Sequence, residues 1–148
     1  MFLNPRAVES APETIIPKIE KEKSSIAALF LESSAIESYL SSFISLTGKK
    51  MSKGTHTPHN GVEESIKKMG FNQLLSITND LGVINDNLYK KLNNFAERRN
   101  QIAHNLIGID LDAIENTNEI KSLVSIGLEL CKSLSKLHTE MLYSLTEK

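Results

Sequence analysis

Three residues late in the chain have the types and spacing to act on a phosphodiester: Arg99, Asn100 directly after it, and His104. The planar guanidinium of Arg is the side chain best shaped to fork onto a phosphate. His is the side chain whose ordinary pKa lets it give and take a proton near neutrality. Together they could hold and cleave a phosphodiester without a metal. His104 would act as general base or acid. Arg99 would stabilise charge in the transition state, and Asn100 would orient His104 or the phosphate.

The element that must carry them is a helix over about 86–107. Leu88, Leu92, Phe95, Ile102 and Leu106 recur at helical spacing. Asn85 or Asp86 can cap its start and Gly108 its end. Arg99 fills the gap between Phe95 and Ile102, so a charge stands on the apolar stripe. An unpaired buried charge is costly, so Arg99 must snorkel, pair with a carboxylate, or face a cleft or a second chain. His104 lies about 140° around the helix from Arg99, while Asn100 and His104 share a face.

Apolar residues from Ile26 to Ile44 predict a first helix within 18–46, and those from Val62 to Leu81 predict a second, with Gly70 marking a bend. A fourth is expected over about 119–145, capped by Asn118 and apolar along Ile120, Leu123, Leu130, Cys131, Leu134 and Met141. Residues 1–17, with three prolines, read as an extended arm, and 47–61 as a loop. No strand-like alternation appears. The fold expected is all-α: one antiparallel four-helix bundle over 18–148 behind the arm.

The spacing Arg99-x4-His104, with a polar residue after the Arg, resembles the signature of the HEPN superfamily. The segment Ala35-Ile36-Glu37-Ser38-Tyr39-Leu40 looks like the pattern by which many of these domains set an acid opposite the motif. The resemblance implies a small helical domain in which two motif helices meet in a homodimer. It also implies a metal-independent RNase of toxin–antitoxin or phage-defence type, leaving 2′,3′-cyclic phosphate ends. Glu37 is then the expected partner of Arg99, with Glu32 as the alternative. Some members carry a Tyr two positions after the His, modified by a partner antitoxin. Leu106 stands there, which puts that form of regulation in doubt.

Composition bounds the alternatives. Net charge is -1, so RNA contact requires a local patch; Lys90, Lys91 and Arg98 on the motif helix are the candidates. Trp is absent and aromatics are few, which argues against a base-stacking platform. A single cysteine, Cys131, excludes an internal disulfide and suits a reducing cytoplasm. No run is long enough to span a membrane. His56 and His59 fall short of a zinc ligand set, so neither metal nor cofactor is expected. His138 reads as a semi-buried packing residue. The competing reading is a non-catalytic helical module for dimerisation or for docking an antitoxin or effector partner.

Overall fold

A computed structural model describes residues 15–51, 60–105 and 117–146. The described residues contain six helices and no strand: α1 (Ile15–Lys21), α2 (Ser25–Met51), α3 (Asn60–Lys67), α4 (Phe71–Asp80), α5 (Asp86–Asn105) and α6 (Asn118–Thr146). They form a helical bundle around one apolar core. Tyr39, Leu40 and Phe43 of α2, Leu75 of α4, Leu92 and Phe95 of α5, and Leu123 and Leu134 of α6 are all buried. No helix of the described residues is long and apolar enough to cross a membrane.

Caps account for the helix boundaries. The Ser24 hydroxyl accepts from Ala27 N–H at 3.2 Å, starting α2, while Ser24 N–H donates to Glu22 Oε1. This separates α1 from α2, where the spacing alone allows one continuous helix. Asn85 Oδ1 accepts from Leu88 N–H at 2.8 Å and caps α5. Thr117 caps α6 through Ile120 N–H, so Asn118, the expected cap, is the first helical residue instead. Gly82, at φ 75°, closes α4 in the left-handed conformation. Leu81 and Gly82 N–H donate to Ile77 and Asn79 carbonyls.

Several expectations are corrected. Residues 15–17, assigned to the extended arm, are helical, with Ile15 and Ile19 in the core. Pro17 is tolerated because a first-turn N–H has no intrahelical partner. Residues 47–51, assigned to a loop, continue α2; the Thr47 hydroxyl donates to Phe43 O within the helix. The predicted second helix is two, broken at 68–70. There Gly70 starts α4 and its N–H donates to Gln73 Oε1 at 3.3 Å. Phe30 and Leu81, within the apolar runs that predict the first and second helices, are exposed. Residues 1–14 of the arm, 52–59 of the loop, Leu106 and Gly108 lie outside the described residues.

The arrangement is not uniformly antiparallel. Glu32 of α2 meets Gly127 and Cys131 of α6, Ser42 bonds His138, and Leu46 shares a cavity with Met141 and Leu145. These partners advance together along both helices, so α2 and α6 run parallel. Strict alternation of four helices would set the first and last antiparallel; the extra corner at 68–70 changes that count.

Candidate functional site

Arg99 stands on α5 where the apolar stripe predicts, half-buried rather than sealed. Its guanidinium carbon lies 5.0 Å from the centroid of the Phe71 ring, the first residue of α4. This is cation–π range, and it shows how a charge sits among core residues. The alkyl stem packs and the charged head rests on an aromatic face. Arg99 Nε and Nη2 both donate to Asn100 Oδ1, at 3.3 and 2.9 Å. Two of five guanidinium N–H groups are thereby used. Phe71 was not foreseen as the seat of Arg99. The Gly70 helix break is visible in sequence, but the pairing across 28 positions is not.

Glu37, half-buried on α2, feels the Arg99 charge. Burial pushes its carboxyl above the usual range and the guanidinium draws it partly back, leaving it raised. The two make no ion pair within 4.0 Å. An ion pair does form between the exposed Lys132 and Glu129, at 4.0 Å. Glu32 is fully buried, and neither carboxyl oxygen has a hydrogen-bond partner among the described residues. Burial alone pushes its pKa up to about 8, with no contribution from Arg99. Of the two acids weighed as partners for Arg99, Glu37 is the one within its field.

Asn100 and His104 are exposed on α5, and no hydrogen bond or ion pair among the described residues holds His104. α5 is one continuous helix from Asp86 to Asn105. The angular offset of about 140° between Arg99 and His104 therefore stands, and the structure does not bring the two side chains together within one chain.

Lys90 and Lys91 are exposed and Arg98 is half-buried. Lys91 lines a groove of about 680 Å³ between α5 and α6, with Asn87, Asn94 and Glu129 on its rim and Leu88 and Leu130 at its floor. Lys91 and Arg98, seven positions apart, share a face of α5, and Lys90 lies about 100° around the helix from Lys91.

His138 is buried, as expected of a packing residue. Its Nε2 lies 2.9 Å from Ser42 Oγ and its ring sits against Tyr39 and Phe43. Cys131 is buried on the core stripe, its Sγ donating weakly to Glu32 O at 3.8 Å. No group of three or more His, Cys, Asp or Glu among the described residues is placed to hold a metal ion, and His56 and His59 lie outside them.

Set against protein-family models, curated proteins and solved structures, the chain matches none.

Proposed function

We propose that the chain is a metal-independent endoribonuclease of HEPN type, acting as a homodimer in toxin–antitoxin or phage defence. The observation that carries this reading is the mounting of Arg99. Its guanidinium is steadied by Phe71 and Asn100 at the edge of the core, with N–H groups left to fork onto a phosphate. One turn on, His104 is exposed and accessible to substrate. In the proposed step the His104 imidazole takes the 2′-hydroxyl proton and the 2′-oxygen bonds to phosphorus. The P–O5′ bond then breaks and the 5′-oxygen is protonated by an imidazolium. The products are a 2′,3′-cyclic phosphate and a 5′-hydroxyl.

Because Arg99 and His104 diverge around one helix, the complete site takes Arg99 from one copy and His104 from a second. Lys91 and Arg98, on one face of α5, and Lys90 beside that face would then engage the RNA backbone. A reducing cytoplasm suits the single thiol.

One observation favours the second reading, a non-catalytic dimerisation or partner-docking module: Arg99 already has structural partners in Phe71 and Asn100. Incubating the full chain with mixed RNA in EDTA, beside His104→Ala, separates the two. Cleavage lost in the variant supports the nuclease. No cleavage by a dimeric wild type, or cleavage undiminished by His104→Ala, supports the module.

A further inference from the structure

The least explained group in the bundle is a carboxyl. Glu32 is sealed where α2, α5 and α6 meet, with both oxygens lacking hydrogen-bond partners among the described residues. Gly127 makes the room. A Cβ there would overlap Glu32 Oε1 and stand 2.7 Å from Phe95 Cε1. Glycine in mid-helix weakens a helix, and a buried acid without partners weakens a core. The chain carries both at one point, and they fit each other.

We propose that Glu32 is a proton-operated latch: the protonated carboxyl closes the α2–α5–α6 junction over Gly127, and release of the proton opens it. A neutral acid can be tolerated in a dry seat, whereas a carboxylate there requires water or a counter-charge.

Among the described residues no neighbouring element supplies that charge. α6 presents Gly127 and the Cys131 thiol, itself pushed up to about 12 by burial and by Glu32, and so neutral. α5 presents the Phe95 ring, and the field of Arg99, one turn further along, falls on Glu37. The buried residues of α1 are Ile15 and Ile19, and those of α4 are Phe71, Leu74, Leu75 and Thr78. The carboxyl therefore has the proton as its route to neutrality, consistent with its raised pKa of about 8. The latch is independent of whether the chain cleaves RNA. If it does, Phe95 links the junction to Arg99, one turn along α5.

The sole thiol of the chain, Cys131, is a built-in reporter of opening. The experiment measures the rate at which a small thiol reagent labels Cys131 in the full chain and in Glu32→Gln, from pH 5.5 to 9.5. The ratio of the two rates cancels the thiol's own chemistry. With an opened-state carboxyl near 4.5 and a closed-state value near 8, the ratio should rise up to ten-fold per pH unit to about pH 8 and then level off. A ratio that does not change with pH overturns the latch.

A second measurement needs no folded Glu32 variant. Wild type at pH 7 should show an infrared band of a protonated carboxyl that survives in Glu37→Gln and disappears by pH 9.5. Its absence at pH 7 would equally overturn the proposal. A pH-dependent ratio that vanishes only on adding millimolar divalent cation would mean that the carboxylate is met by a cation, and that outcome also counts against a proton latch.

Discussion

At the scale of single residues, Arg99 joins stability to proposed chemistry and His104 does not. Arg99→Ala removes a guanidinium resting on Phe71 and forked onto Asn100. A cation–π contact of this kind contributes about 0.5–1 kcal/mol. In a chain of this length that corresponds to a fall of roughly 1–4 °C in Tm, measurable by thermal melting. His104→Ala, at an exposed position without bonds among the described residues, should leave Tm unchanged. If the nuclease reading holds, both variants lose RNA cleavage by about two or more orders of magnitude, in the presence of EDTA. Equal Tm shifts in the two variants would contradict the asymmetry. The same substitution has an electrostatic readout. Arg99 is what lowers the Glu37 carboxyl against the effect of burial. In Arg99→Ala the Glu37 titration, followed by carboxyl carbon NMR, should therefore move further up. A downward move would mean that Arg99 does not act on Glu37.

At the scale of elements, two glycines make opposite demands. Gly82 closes α4 with φ at 75°, a conformation that costs an L-residue about 1–2 kcal/mol, so Gly82→Ala should lower the urea midpoint accordingly. Gly127 lies within α6, where helix propensity alone makes Gly→Ala a gain of about 1 kcal/mol. The new methyl would collide with Glu32 and Phe95, and overpacking of this kind costs about 1–3 kcal/mol. Gly127→Ala should therefore be destabilising, and a stabilised variant would show that the junction is looser than described. These elements also show what could be read from sequence and what could not. The stripe of α5 and the place of Arg99 on it were legible, because helical periodicity is local. So were the Asn85 cap and the packing role of Cys131. The seat on Phe71 was not, since it depends on where α4 begins relative to α5. Nor was the parallel run of α2 and α6, because it follows from an additional corner at 68–70 that one glycine signalled only as a bend.

At the scale of the whole molecule, the buried acid and thiol give stability a direction in pH. Glu32 is near 4.5 when exposed and about 8 in the fold, so from pH 4.5 to 8 the unfolded chain has lost a proton that the folded chain keeps. Stability due to this group is thus fully present below pH 4.5 and declines as pH rises toward 8, by about 1.4 kcal/mol per unit at most. Glu37, also raised, acts in the same sense. Cys131, ordinarily near 9.0 and about 12 in the fold, repeats the effect above pH 9. The bundle should therefore be more stable in mildly acidic than in mildly alkaline solution, unlike a protein whose carboxylates are paired in the native state. Urea unfolding of wild type at pH 5, 6.5, 8 and 9.5 should show a falling midpoint. Glu32→Gln, which keeps the shape of the side chain without its charge, should fall less between pH 5 and 8 while following the same decline above 9, where Cys131 titrates. Parallel curves for the two proteins across the lower window would mean that Glu32 reaches water in the native state and that the junction over Gly127 is not dry.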